Sequence, residues 1–269
     1  SSIEKNSVIH YFKTPIYRTN NKVSNIFEIT SIKEFTAPEF FRHGAVDILK
    51  EIKMLNSADK IIVHSDYMAE EISSRLFVDE KKIKVIPKGI HIYNFEQNAP
   101  KLKLPEKFIM FAGRISKYKN LNMLINVFER TLPKNIHLII AGTGEDIPAR
   151  NRVINIGYIH PTLVQSVMKK ALCLVEPSFV NDHPDTILEA MAAEIPVVAS
   201  DIKAHRSVCA NSALYFSPLS ENSLAESLEA AISNKKLRDT LKKDGKEIAD
   251  AHSWDKVVLK YKELYRSLA

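Results

Sequence analysis

Short apolar runs and amphipathic stretches alternate along most of this chain. Apolar runs of roughly four to eight residues between turn residues read as buried strands, and apolar positions three and four apart read as helices. In the second half, strands are expected at 108–112, 136–141, 153–156, 172–175, 196–199 and 214–216. Helical stretches at 119–130, 161–170 and 186–193 separate most of them. Continuous apolar strands alternating with helices predict βαβ units and a parallel, doubly wound sheet. Helices are also expected at 221–233, 235–250 and 254–268. The last carries Val257, Val258, Tyr261, Leu264, Tyr265 and Leu268 on one face.

The first hundred residues carry a weaker version of the pattern. Residues 7–12 read as a strand ended by Thr14-Pro15, and 17–37 as polar and irregular. Pro38 opens a helix expected to run to about 58, Pro being tolerated in a first turn, with Ile48, Leu49, Ile52 and Leu55 on its apolar face. A strand over 58–65 leads to Ser65, a candidate N-cap for a helix to Leu76. A further strand at 83–86 precedes the turn Pro87-Lys88-Gly89, and 93–105 reads as a linker. The expected organisation is a first α/β domain over 1–105, a second over 106–252 and a terminal helix over 253–269. Three strand candidates are few against the five or six of an ordinary sheet. The first domain therefore reads as incomplete, to be covered by a second copy of the chain or by a separate front-half subunit.

Composition narrows the class. The 269 residues are 45% hydrophobic and 26% charged, as in ordinary globular proteins. The net charge of +6 is a mild basic excess without a block of like charge outside 235–246. It suits phosphorylated donors or peripheral contact with an anionic membrane face, and not nucleic acid. Cys173 lies in an apolar run and reads as a core thiol, and Cys209 is equally solitary, so neither a disulfide framework nor a zinc site is expected. The apolar runs are too short to span a bilayer and no signal peptide is visible, so a cytoplasmic location is expected. The chain opens at Ser1-Ser2 rather than Met, as a processed start would.

The candidate chemistry sits at strand ends. The stretch from Glu176 to Ser200 reads as strand, polar loop, helix and strand. Ligands of parallel sheets bind beyond the carboxyl ends of the strands, and a helix start there favours a phosphate. Glu189, one turn into that helix, can accept from sugar hydroxyls, but Thr186-x-x-Glu189 is also a capping box. Gly113, Arg114 and Lys119 follow the strand at 108–112. The glycine allows a close backbone turn and the two cations suit a diphosphate, though each is equally readable as a solvated charge. Ala141-Gly142-Thr143-Gly144 is a turn after the next strand. Neither a G-x-G-x-x-G fingerprint nor a G-K-[ST] loop is present, which argues against dinucleotide enzymes and P-loop NTPases.

These segments resemble the retaining GT-B-fold glycosyltransferases of family four, the "group 1" enzymes. The match runs through Pro177, Ser178, Leu188, Glu189, Ala190, Met191, Ala192, Pro196, Val197, Val198, Ala199 and Ser200. It continues in Gly113-Arg114 with Lys119, in Ala141-Gly142-Thr143-Gly144, in Gly157-Tyr158-Ile159-His160 and in the Ala58 to Ser65 segment. The first of the family's two glutamates is Asn181 here, its glycines are Asp182 and Pro184, and the small residue after the helix is Glu194.

The resemblance implies an α/β, GT-B-like fold of two Rossmann-like domains with a cleft between them. It also implies transfer of a sugar from a nucleotide diphosphate sugar to a carbohydrate, lipid-linked or protein acceptor, with retention and without a metal or other cofactor. Arg114 and Lys119 would neutralise the diphosphate, and Asn181 and Asp182 would face the transferred sugar. Gly113, Gly142, Tyr158, Ile159, Ile187, Leu188 and Glu189 would complete the donor site. His10 and Lys13, near the family's His-Thr-Pro segment, would lie on the acceptor side, although a lone histidine beside a strand is more often structural. His205, in an H-R-E-like stretch, reads as structural. The lost glutamate and the short first domain leave a second reading open, a catalytically weak nucleotide-sugar-binding protein or one subunit of a split transferase. A scaffold without a ligand would require Arg114, Lys119 and Glu189 to be incidental.

Overall fold

The computed structural model describes residues 7–12, 23–41, 45–91, 103–147 and 149–268. By contacts the chain divides into two units, Ser1–Gly89 with Trp254–Ala269, and Ile90–Ser253. The expected linker at 93–105 falls largely outside the described residues, and the contacts place the break earlier, after Gly89.

The first unit is built on four parallel strands in sequential order: β1 (Val8–Tyr11), β2 (Ser24–Glu28), β3 (Lys60–Val63) and β4 (Ile83–Val85). Strand β2 lies in the stretch read as irregular. Asn25 and Glu28 break its apolar run, yet both are buried. The Asn25 side-chain amide nitrogen donates to the Val23 carbonyl at 2.8 Å, and its backbone N–H donates to Asp59 Oδ2 at 2.7 Å.

The helices of this unit are α1 (Lys33–Thr36), α2 (Ala45–Ser57), α3 (Asp66–Leu76) and α10 (Trp254–Leu268). Within the helix expected from Pro38, residues 38–40 form a turn and α2 is described from Ala45 onward. Ser65 caps α3 as expected, accepting from the Met68 N–H at 3.3 Å. Alternate residues of a strand face opposite sides. Phe27, Ile61 and Val63 therefore pack with Leu55, Met68, Ile72 and Leu76 on one face of the sheet. Ile26, Ile62 and Ile86 pack with Val257, Tyr261 and Leu264 of α10 on the other.

The second unit carries β5 (Phe108–Ala112), α4 (Leu121–Thr131), β6 (His137–Ala141), β7 (Val153–Gly157), α5 (Pro161–Met168), β8 (Leu174–Glu176), α6 (Asp185–Ala192), β9 (Val197–Ser200), α7 (Lys203–Cys209), β10 (Leu214–Phe216), α8 (Glu221–Ser233) and α9 (Lys235–Ala251). The six strands run parallel in the order β10-β9-β8-β5-β6-β7. All the strands expected here are present within two residues at either end. Helix α7 was not expected, because Lys203, His205, Arg206 and Ser207 hide its apolar periodicity.

Phe108, Met110 and Ala112 of β5 point to a core shared with Leu188, Met191 and Ala249, and Ile109 and Phe111 point to one shared with Leu124, Phe128, Leu224 and Leu228. The sheet is thus covered on both faces, as a doubly wound fold requires. Cys173 and Cys209 are buried free thiols, and desolvation pushes each up to about 12. Among the described residues no helix is long and apolar enough to cross a membrane.

Strand order places the site. The chain leaves β5 toward β6 and β7, then returns to β8 on the other side of β5. Between β5 and β8 the connections diverge in opposite directions, the switch point at which such sheets form a ligand crevice.

Candidate functional site

At the carboxyl ends of β5 and β6 two loops run side by side. The Gly113 N–H donates to the Ala141 carbonyl and the Ile115 N–H to the Thr143 carbonyl, both at 2.9 Å. The approach is so close that a Cβ on Gly142 would lie 1.8 Å from the Gly113 carbonyl oxygen. Gly113 itself holds a φ of +141°, a conformation side chains disfavour. These constraints account for both glycines without any ligand.

The paired loops form one wall of a pocket of about 500 Å³. Gly113, Arg114, Gly142, Tyr158, Ile159 and Glu189 all line it, six expected site residues from four separate segments. Thr143, Gly144, Pro161, Val164 and Thr186 also line it. Thr143 and Gly144 belong to the turn already singled out, whereas Pro161 and Val164 come from α5 and gave no signal in sequence. Arg114 is exposed, and Tyr158 is 70% exposed beside it on the rim.

Helix α6 starts one residue earlier than expected, with Pro184 at its N-cap and no side-chain capping hydrogen bond. The capping box is therefore not formed, because Thr186 is the second helical residue and not the cap. Thr186 and Glu189 instead both face the pocket. Ile187 and Leu188 are fully buried, and their N–H groups donate to the Pro184 carbonyl at 3.0 and 3.1 Å. They do not line the pocket.

Lys119 is placed differently from Arg114. It is 9% exposed, and its Nζ lies 3.1 Å from Oε1 of Glu176 at the end of β8. The pair spans the gap between the β5 loop and β8. Burial would raise the Glu176 carboxyl, but the Lys119 ammonium, the neighbouring His205 and the Ser178 hydroxyl outweigh it and hold the group below the usual carboxylate range. Sequence reasoning missed Glu176, which is 57 residues from Lys119 and sits inside an apolar run.

Asn181 and Asp182, in the loop between β8 and α6, are 7% and 2% exposed and do not line the pocket. The Asn181 amide nitrogen lies 3.3 Å from Nε2 of His205, whose ring is fully buried. On the other side of that ring Nδ1 donates to the Ser200 carbonyl at 2.9 Å. Ser200 Oγ donates to the Ser178 carbonyl at 2.6 Å. A continuous polar chain thus runs from Asn181 through His205, Ser200, Ser178 and Glu176 to Lys119.

His10 belongs to the first unit and not to this pocket. Its Nε2 lies 3.1 Å from Oε2 of Glu28 and its Nδ1 lies 2.7 Å from the Tyr265 hydroxyl. Both ring nitrogens are engaged, so His10 does not present a base to solvent. The Tyr261 hydroxyl donates to Glu28 at 3.0 Å, and His64 Nε2 lies 3.5 Å from its other oxygen. Burial would raise the Glu28 carboxyl, but hydrogen bonds from His10, His64 and Tyr261 and the His64 charge bring it down to about 2. Lys13 lies outside the described residues. Among the described residues no group of three or more His, Cys, Asp or Glu side chains is arranged to hold a metal ion.

Comparison with known proteins gives a consistent result. An "uncharacterized glycosyltransferase" of Methanocaldococcus jannaschii is 24% identical over 98% of this chain and 76% of its own length. The Campylobacter jejuni N-acetylgalactosamine-N,N'-diacetylbacillosaminyl-diphospho-undecaprenol 4-alpha-N-acetylgalactosaminyltransferase is 26% identical over 74% of this chain and 57% of its own. The chain thus spans between 40% and 76% of the length of these and other curated relatives.

Among solved structures, Anabaena HepE in complex with UDP-glucose superposes with a TM-score of 0.78 at 17% identity, over 91% of this chain and 72% of that one. The sucrose-phosphate synthase of Thermosynechococcus elongatus gives 0.76 at 23%, over 91% and 68%. These likenesses show the fold, the α/β GT-B architecture of parallel sheets. The family described as Glycosyltransferase Family 4 matches residues 34–93, and the one described as Glycosyl transferases group 1 matches residues 94–248, more than half of the chain. The chain belongs to the glycosyl transferases group 1.

Proposed function

We propose that the chain transfers a sugar from a nucleotide diphosphate sugar to an acceptor with retention of configuration, its second unit holding the donor. The observation that carries this reading is the pocket at the carboxyl ends of β5 and β6. It brings a guanidinium, two glycine loops, a helix start and a glutamate into one hollow of nucleotide size. Arg114 meets the diphosphate, helped by the positive end of α6. Together they neutralise the charge that develops on the leaving group, without a metal. Glu189 accepts from the ribose hydroxyls, and the base lies along Tyr158 and Ile159. Lys119, held by Glu176, reaches the phosphates only by exchanging partners, so Arg114 carries the larger share of their binding. The UDP-glucose bound in the HepE structure supports a nucleotide sugar as the donor class.

Calorimetric titration with UDP-, GDP- and dTDP-sugars tests the reading. One of them should bind, and Arg114→Ala should weaken it by about 2 kcal/mol, the loss of a charged hydrogen bond. Equal affinity in the variant refutes the assignment of Arg114, and failure of every nucleotide sugar to bind refutes the donor site.

One observation favours a second reading, a nucleotide-sugar-binding protein or one subunit of a split transferase. Asn181 replaces the first glutamate of the resembled pattern and is turned onto His205. Donor binding without turnover, with acceptors of the carbohydrate, lipid-linked and protein classes supplied, would select it.

A further inference from the structure

The turn after β5 and the loop after β8 flank the switch point of the second unit's sheet, and they are fastened to each other there. The Phe179 N–H donates to the Tyr118 carbonyl at 2.9 Å. Beside that bond Lys119 Nζ lies 3.1 Å from Glu176 Oε1, with Lys119 9% and Glu176 1% exposed. The Ser178 hydroxyl donates to the same carboxylate oxygen, and His205 of α7 faces the group as well. Arg114, earlier on the same turn, is exposed and lines the pocket, whereas Lys119 does not. The two cations of one motif are thus divided. One faces the hollow, and the other is taken up by an internal carboxylate. Glu176 stands just ahead of Pro177-Ser178, where the resembled pattern begins, so the pattern does not account for it.

We propose that Glu176 withholds Lys119 from the donor site, so that a diphosphate is met by Arg114 and the start of α6 while the lysine keeps its internal partner. The effect on ligand binding rests on the donor reading above, whereas the pairing itself does not. Two exchanges decide the matter. Moving Lys119 to a phosphate would gain one charged hydrogen bond in a hollow open to water, where charges are screened. It would also strand a fully buried carboxylate, and an uncompensated buried charge costs more than such a bond returns. Glu176 therefore sets the charge that the pocket presents, one guanidinium in place of two cations. The consequence is a looser hold on a nucleoside diphosphate, whether it arrives as part of the donor or remains as the product.

The test is calorimetric titration of the full chain with inorganic diphosphate and with UDP, GDP and dTDP. Glu176→Gln keeps the shape of the side chain and frees Lys119 for the anion. It should tighten diphosphate binding about tenfold or more, the effect of one charged hydrogen bond. Glu176→Gln combined with Lys119→Met removes both charges together, a change that buried pairs tolerate. That double variant should bind within about threefold of wild type, because Lys119 contributes little to begin with. A gain below about threefold in Glu176→Gln, or a loss above about threefold in the double variant, overturns the proposal. If Glu176→Gln does not fold, the double variant decides alone.

A second measurement needs no ligand. Acetylation of the wild-type chain with acetic anhydride, located by peptide mass spectrometry, should spare Lys119 at a dose that modifies its exposed neighbour Lys117. Saturating diphosphate should leave that pattern unchanged. Acetylation of Lys119 as fast as Lys117 overturns the proposal. If wild type binds neither diphosphate nor any of the three nucleoside diphosphates, the donor reading falls, and acetylation still decides whether Lys119 is withheld.

Discussion

Replacing Glu176 by Gln tests the buried pair that joins the β5 loop to β8. The Lys119 and Glu176 side chains are 11% and 1% exposed, with nitrogen and oxygen 3.1 Å apart. Taking one partner from such a pair strands the other charge away from water, at about 3–5 kcal/mol. Glu176→Gln should sit at the lower end of that range, because Lys119 keeps some access to solvent. Lys119→Met should cost as much or more, because it strands a buried carboxylate with the Ser178 hydroxyl still donating to it. Removing both charges should cost much less than the two single changes added together, since a buried pair replaced whole is often nearly neutral. The expected coupling is about 2–3 kcal/mol. The assay is urea unfolding followed by far-UV circular dichroism, with fluorescence of the sole tryptophan, Trp254, as a reference for the first unit. The two signals are fitted separately, as two-unit proteins need not unfold in one step. Single variants whose losses simply add, within about 0.5 kcal/mol, would show that Lys119 and Glu176 do not depend on each other.

The Glu28 cluster makes stability acid-sensitive. Its folded pKa of about 2 lies below the unfolded value of 4.5, so its contribution is complete above 4.5 and is lost as pH falls through 2. That contribution is about 3 kcal/mol. Glu28→Gln should remove it and flatten the acid limb of the Trp254 unfolding signal, whereas an acid limb equal to wild type would contradict the cluster. Glu194 follows α6 at a φ of 58°, where the resembled pattern has glycine. Glu194→Gly should stabilise the second unit by roughly 0.5–1 kcal/mol, the relieved strain exceeding the added chain entropy. A loss in the dichroism-monitored transition would show that this strain is absent.

The second unit was legible because its strands are buried on both faces and so are continuously apolar, as β5 and β6 show. The pocket was legible where a backbone constraint leaves a mark in sequence, as at Gly113 and Gly142. What escaped was polar and non-local. Strand β2 was hidden by Asn25 and Glu28, and Glu28 is explained by Tyr261, 233 residues away. Glu176 and His205 gave no sign of joining Lys119 to Asn181, because their partners come from separate loops and strand ends. The start of α6 was misplaced by one residue because Pro184 serves as its N-cap, a place more often held by Ser, Thr, Asp or Asn.

The first unit is assembled from two stretches of chain that the ribosome makes far apart. Ser1–Gly89 emerges first, and Ile90–Ser253 is synthesised before α10 arrives. At about 5–20 residues per second this interval lasts roughly ten to thirty seconds. Throughout it Ile26, Ile62 and Ile86 lack the cover of Val257, Tyr261 and Leu264, and Glu28 lacks the Tyr261 hydroxyl. The second unit can therefore be finished while the sheet of the first is still one-faced. During translation that face of the sheet stays apolar and open, and its covering layer is laid down only when α10 leaves the exit tunnel.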